Sequence, residues 1–84
     1  MNKIDGFEDA LMKFIRSELK PDLERVGIST DLIKEEIVDS LGILAIIGFV
    51  EEWFEIEIDS EDISVDNFRT VLSIRDLAME KLSL

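Results

Sequence analysis

The stretch DSLGILAIIGFVEEWF, from Asp39 to Phe54, decides the fold of this 84-residue chain. Its ten residues 41 to 50 are all apolar or glycine, whereas a membrane-spanning helix needs about 20. We therefore expect a buried helix from Ser40 to about Phe54. The side chain of Asp39 or of Ser40 can cap its first amides.

Two glycines interrupt this helix. In a helix interior, Gly42 and Gly48 each cost about 0.5–1 kcal/mol relative to alanine. Two such costs in one short helix suggest that something approaches its surface closely.

The residues before this helix predict an earlier helix and a long loop. Apolar residues at steps of three and four indicate a helix from about Ile4 to Leu19, which Pro21 ends. Residues 20–39 lack this period, so we expect a loop there with a helical turn near 31–34. The helical stripe consists of Ile4, Phe7, Leu11, Phe14 or Ile15, and Leu19, and the loop's apolar anchors are Val26, Ile28, Leu32, Ile33 and Ile37.

The residues after the central helix predict a connector and a short helical turn. Residues 55–58 alternate polar and apolar side chains, which is typical of an extended segment. Ser64 can then cap a brief turn that runs through Phe68.

A last helix is expected over Ile74 to about Leu82, because Ser73 and Asp76 have the spacing of a capping box. Leu77, Ala78 and Leu82 should face inward. The sequence therefore predicts an all-α fold, a small four-helix bundle of three longer helices plus one short helix with a long first loop. Residues 1–84 should form a single domain.

The core of this bundle should contain most of the apolar side chains of the second half. Trp53 is expected to be half exposed, packed on the last helix or available to a partner. The expected core residues are Leu44, Ile46, Ile47, Val50, Phe54, Ile63, Phe68, Leu72 and Ile74.

Composition excludes many chemistries. The chain has no Cys and no His, so it lacks a thiolate, a Cys/His zinc site and an imidazole base. Nine Lys and Arg against 20 Asp and Glu give a net charge of -11, which disfavours nucleic acid and favours basic protein partners. Because these groups are missing, we expect a protein that enzymes act on rather than an enzyme. We expect no metal site, since residues 59–62 lack the spacing and glycine of an EF-hand loop and should bind divalent ions loosely at most. The N-terminus lacks the apolar stretch of an export signal, so a cytoplasmic location is the default expectation. We also expect a monomer.

The acidic residues are concentrated in the middle of the chain. No basic residue lies between Lys34 and Arg69. A solvated surface would explain an acidic segment, but the separation of charge equally suggests a recognition surface. The acids of this stretch are Glu35, Glu36, Asp39, Glu51, Glu52, Glu55, Glu57, Asp59, Glu61, Asp62 and Asp66.

Ser40 allows two interpretations. On local grounds a serine at this position is most often only a helix cap. Its setting, in a small acidic helical chain, resembles that of the acyl carrier protein family, where the serine of an Asp-Ser-Leu motif carries 4′-phosphopantetheine. The similar segments are EIVDSL at 36–41, FVEEWFEIEI at 49–58 and SVDNFRTVLSI at 64–74.

This resemblance implies a carrier whose thiol is imported on a phosphopantetheine arm from coenzyme A. Ser40 would be the attachment residue, flanked by Asp39 and Leu41, and the carrier would hold acyl or aminoacyl intermediates as thioesters. The implied partners are a phosphopantetheinyl transferase and an adenylating ligase or synthase.

The chain departs from the fatty acid carriers after its motif, where acidic residues are common in that family. Gly42 and Ala45 occupy those positions, and Gly48 lies one turn further on. A glycine directly after the motif is similar to D-alanyl carrier proteins, which favours a dedicated carrier in a specialised pathway. Partner contacts are expected at Gly42, Ala45, Gly48, Glu51 and Glu52. The alternative is a non-carrier acidic adaptor that binds a basic protein and uses Ser40 only as a cap.

Overall fold

A computed structural model describes residues 5–19 and 27–82. In these two ranges the chain is helical, without strands, and forms the predicted small all-α bundle. Its helices are α1 (Phe7–Phe14), which continues into π-helical turns (Ile15–Leu19), then α2 (Ser40–Phe54), a 3₁₀ turn (Ser60–Asp62), α3 (Val65–Phe68) and α4 (Val71–Leu82).

The first helix follows the predicted stripe. Gly6 precedes α1 with a φ of 84°, a left-handed conformation that glycine adopts without strain. Phe7, Leu11 and Ile15 are buried along one side, so the predicted period is confirmed there. The predictions for Ile4, for the side chain of Leu19 and for Pro21 lie outside the described residues.

The described part of the loop, residues 27–39, is held to the bundle by its backbone. The predicted turn is confirmed, because the Lys34 amide donates to the Asp31 carboxylate at 2.8 Å. The Leu32 amide donates to the Arg69 carbonyl at 2.7 Å, and the Leu72 amide donates to the Ile28 carbonyl at 3.2 Å. The loop is therefore fixed to the junction of α3 and α4.

Only some of the predicted loop anchors reach the core. Leu32 and Ile37 are buried, as expected, and Ile33 is half-buried. The prediction for Ile28 was wrong, because its side chain is exposed while its carbonyl makes the contact. Val26 lies outside the described residues.

The starts of the last two helices differ in how well they were predicted. Ser64 caps α3 by accepting from the Asn67 amide at 3.3 Å, as expected. The predicted start of α4 at Ile74 was wrong, since the helix begins at Val71. Its first turn is closed by the Thr70 hydroxyl, which accepts from the Ser73 amide at 3.0 Å.

The core joins all four helices to the loop and the connector. Leu77 and Ala78 are buried as predicted, but Leu44, Ile63 and Leu82 are exposed, so those three predictions were wrong. Leu72 is half-buried. The buried side chains are Phe7, Leu11, Ile15, Leu32, Ile37, Val38, Ile46, Ile47, Val50, Phe54, Ile58, Phe68, Val71, Ile74, Leu77 and Ala78.

An aromatic cluster fixes α1 against α2. Phe7 lies at its centre, with ring centroids 4.7 Å from Phe54, 6.1 Å from Trp53 and 6.2 Å from Phe49. Trp53 is half-buried as expected, and its ring lies against that of Phe7 on the first helix. This packing sets which side of α2 stays open.

None of the helices within the described ranges has the length and apolar character needed to cross a membrane.

Candidate functional site

The start of α2 is capped by Asp39. Its carboxylate accepts from the Gly42 amide at 2.9 Å, and its carbonyl accepts from the Ile43 amide at 2.9 Å. A carboxylate is well suited to the positive end of the helix dipole. Of the two capping residues that the sequence allowed, Asp39 therefore performs the role, and Ser40 is the first residue of the helix proper.

Ser40 does not act as the cap of α2. Its side chain is exposed, and its hydroxyl makes no hydrogen bond with the described part of the chain. The backbone amides of Ser40 and Leu41 also donate to none of the described residues. A hydroxyl thus stands in solvent beside two unused N–H groups of a helix N-terminus, a position where an anionic group is stabilised.

A shallow groove of about 420 Å³ lies beside Ser40 on the loop side. Ile33, Val38 and Ile43 supply its apolar lining, and Glu36 and Asp39 supply carboxylates. Glu36 has a φ of 57°, a left-handed conformation that is uncommon outside glycine. The groove is therefore apolar at its base and acidic at its rim.

The face of α2 that continues from Ser40 is open to solvent. Leu41 is 76% exposed and Leu44 is 61% exposed. Gly48 and Glu52 follow and are also exposed. Because these four residues recur at steps of three and four, they form one stripe along the helix. We call Leu41, Leu44, Gly48 and Glu52 the outer face of α2.

Two of the predicted partner contacts do not belong to this outer face. Gly42 is buried, because it lies on the same side of the helix as Ile46 and turns toward the core. The Glu51 carboxylate accepts from the Ile58 amide at 2.9 Å, so it holds the connector to α2. Ala45 is half-buried beside the outer face, and Gly48 and Glu52 lie on it.

The acidic stretch is less uniform in space than in sequence. Lys81 of α4 pairs with both Asp59, at 3.1 Å, and Asp62, and Arg69 pairs with Asp66 at 3.3 Å. Basic residues from beyond the stretch therefore neutralise its end. Five side-chain carboxylates of the stretch make no hydrogen bond or ion pair with the described part of the chain, those of Glu35, Glu36, Glu52, Glu57 and Glu61.

The contacts of Lys81 shift the pKa values of two side chains. The hydrogen bond from the Lys81 ammonium lowers the pKa of Asp62 below its usual value of 3.8. The hydrogen bonds to Asp62 and then to Asp59 raise the pKa of Lys81 above 10.5. Asp62 and Lys81 therefore both stay charged around neutral pH and hold the 3₁₀ turn to α4.

A second groove, of about 530 Å³, lies where α1 meets the far end of the outer face. Its walls are Phe14, Phe49 and Trp53, and Gly48 and Glu52 line its edge. The Phe49 ring lies 4.9 Å from that of Phe14 and stacks on that of Trp53 at 5.8 Å. We call this the aromatic groove.

The Asp39 cap gives a first prediction. Asp39→Ala should lower the free energy of unfolding by about 1 kcal/mol, because the Gly42 amide loses its acceptor. Urea unfolding followed by circular dichroism measures the change. Asp39→Asn, which retains a capping oxygen, should stay close to the wild type. Equal stability of the alanine variant and the wild type would contradict the capping role.

Gly48 gives a second prediction. A Cβ built on Gly48 has no atom within 4 Å, so alanine fits without strain. Gly48→Ala should raise the free energy of unfolding by about 0.5–1 kcal/mol, because glycine loses more backbone entropy on folding. The reverse change at Ala45 of the same helix is the matched control and should lower stability. Thermal unfolding would contradict this if the alanine variant melted at the wild-type temperature or below it.

The aromatic groove and the Lys81 pairing were not predicted from the sequence. Phe14 was assigned to the α1 stripe, and only its place beside Phe49, a residue far along the chain, makes it a groove wall. Within the described ranges, no group of three or more acidic side chains is arranged to hold a metal ion.

The chain was compared with protein-family models, curated proteins and solved structures, and none of them matches it.

Proposed function

We propose that this protein is an acyl or aminoacyl carrier that holds intermediates as thioesters on a 4′-phosphopantetheine arm at Ser40. The observation that supports the proposal is that Asp39, and not Ser40, caps the start of α2. Asp39 caps the helix, so nothing in the described fold requires a hydroxyl at position 40. If Ser40 served only as a cap, its hydroxyl oxygen would accept a hydrogen bond from a backbone amide.

The residues around Ser40 fit the arm. The serine oxygen would form the bond to phosphorus, its proton passing to a base of the transferase and the nucleotide part of coenzyme A leaving. The phosphodiester so formed carries a negative charge, and the free amides of Ser40 and Leu41 are donors of the kind that bind such anions. The arm supplies the thiol that this cysteine-free chain lacks.

The chain has no His to activate Ser40, and the carboxylate next to it, that of Asp39, is engaged as the helix cap. The hydroxyl of Ser40 is therefore a substrate for another enzyme rather than a catalytic nucleophile. Such an enzyme must bring its own base and must reach the start of α2, which the exposure of Ser40 and Leu41 permits.

The outer face of α2 offers these enzymes an apolar contact. Leu41 and Leu44 are large and exposed next to Ser40, and exposed apolar side chains that adjoin a reactive group mark interaction sites. The carboxylates of Glu35 and Glu36 lie in the loop just before α2. A partner with an apolar centre and a basic rim would complement this surface.

A test is the intact mass of the protein after incubation with coenzyme A and a broad-specificity phosphopantetheinyl transferase. A gain of one phosphopantetheine per chain is the expected result. An unchanged mass under conditions that modify a reference carrier would overturn the proposal. It would leave the acidic adaptor, which uses the same exposed leucines and free carboxylates to bind a basic protein.

The apolar contact gives a third prediction. Leu44→Glu should reduce the transferase's kcat/KM roughly tenfold, because truncating or charging a central contact costs more than 1 kcal/mol of binding. Stability should change little, since Leu44 is exposed. Met79→Glu, a similar change at an exposed residue of α4, is the control. Equal rates for the two variants would remove Leu44 from the contact.

A further inference from the structure

The aromatic groove lies within reach of Ser40 along the outer face of α2. At about 1.5 Å of rise per residue, Gly48 is roughly 12 Å and Glu52 roughly 18 Å along the helix axis from Ser40. Leu41 and Leu44 are the exposed side chains between them. Because Gly48 carries no side chain, the path along the outer face opens directly into the groove.

The reach of a phosphopantetheine arm matches this distance. About fourteen bonds separate the serine oxygen from the sulfur, and an extended chain advances about 3.5 Å per three bonds, which gives roughly 16 Å. The groove beside Ser40 is too close for the end of an extended arm.

The lining of the aromatic groove selects a class of cargo. Phe14, Phe49 and Trp53 form its walls, and aromatic surfaces bind apolar and aromatic groups. Glu52 at the edge is exposed and forms no ion pair with the described part of the chain. An apolar group that carries an ammonium matches both features, whereas a carboxylated acyl group would be repelled.

We propose that the aromatic groove binds an apolar aminoacyl group attached to the arm on Ser40, with the ammonium of that group facing Glu52. This inference rests on the carrier function proposed above. It assigns the groove as a cargo site on the outside of the bundle, between α1 and α2.

The experiment uses Trp53, the single tryptophan of the chain, as its reporter. The transferase loads Ser40 with amide-linked phenylalanyl or phenylpropionyl arms from the corresponding coenzyme A analogues. With the phenylalanyl arm, acrylamide quenching of Trp53 should fall by about half relative to the unloaded arm, because a bound group shields the ring from solvent. The phenylpropionyl arm, which lacks the ammonium, should protect less.

Three variants separate the contributions. Gly48→Leu fills the opening of the groove and should abolish the protection, whereas Gly48→Ala should retain it. In the wild type, one exposed ion pair should make the bound population about threefold larger for the phenylalanyl arm than for the phenylpropionyl arm. Glu52→Gln should remove this difference.

The outcomes distinguish the two proposals. A protein that gains neither arm overturns both. Loading confirmed by mass, with the quenching of Trp53 unchanged, overturns the cargo site and leaves the carrier function standing. Protection that persists in Gly48→Leu likewise overturns the assignment to this groove.

Discussion

Replacing Ser40 by alanine is expected to abolish attachment of the phosphopantetheine arm completely. The Ser40 side chain places a hydroxyl beside the free amides of α2, and alanine has no oxygen to bond to phosphorus. The fold should be retained, because Ser40 is exposed and Asp39 supplies the cap. Intact mass after incubation with coenzyme A and transferase measures the loss.

Ser60→Ala is the matched control for this experiment. Ser60 is also exposed and also begins a helical turn, the 3₁₀ turn at residues 60–62. That variant should gain one arm as the wild type does. A mass gain in Ser40→Ala would place the modification elsewhere and contradict the proposed role of Ser40.

Phe7→Ala should lower the free energy of unfolding by about 3–5 kcal/mol, the range found for large aromatic-to-alanine changes in cores. Phe7 is fully buried and contacts three other aromatic rings, so its loss leaves a cavity between α1 and α2. A domain of this size is stabilised by only about 5–15 kcal/mol, so the variant should be close to unfolded. Urea unfolding followed by circular dichroism gives the value.

Two further variants make this result interpretable. Phe7→Leu retains most of the volume and should lose less, which provides a value if the alanine variant does not fold. Phe14→Ala, from the half-buried end of the same helix, should also lose less. An equal loss at both positions would contradict the central role of Phe7 in the cluster.

The central helix could be predicted closely because its signals are local. Asp39 caps it, and α2 runs from Ser40 to Phe54 as expected. Which side faces solvent could not be predicted, since an apolar residue or glycine occupies every position from 41 to 47. Leu44 was therefore assigned to the core, and only the packing of Phe7 on one side of α2 leaves Leu44 exposed.

The errors elsewhere have a similar cause. Thr70 and Ser73 both suit a helix start, and the choice between them depends on Val71, which the core buries. Lys81 lies far along the chain from its partners Asp59 and Asp62, so no sequence spacing predicts these ion pairs. At the candidate site, the position of Ser40 could be predicted, but its freedom from capping and the groove beyond Gly48 required the structure.

The backbone bonds that join the loop to the α3 and α4 junction have a consequence for folding kinetics. The amides of Leu32 and Leu72 bond to carbonyls far along the chain, so these contacts close only after most of the chain has been brought together. The loop should then become ordered late in folding, when α4 docks on the bundle. The loop segment that lines the groove beside Ser40 should therefore exchange its amide hydrogens together with the last helix rather than as an independent unit.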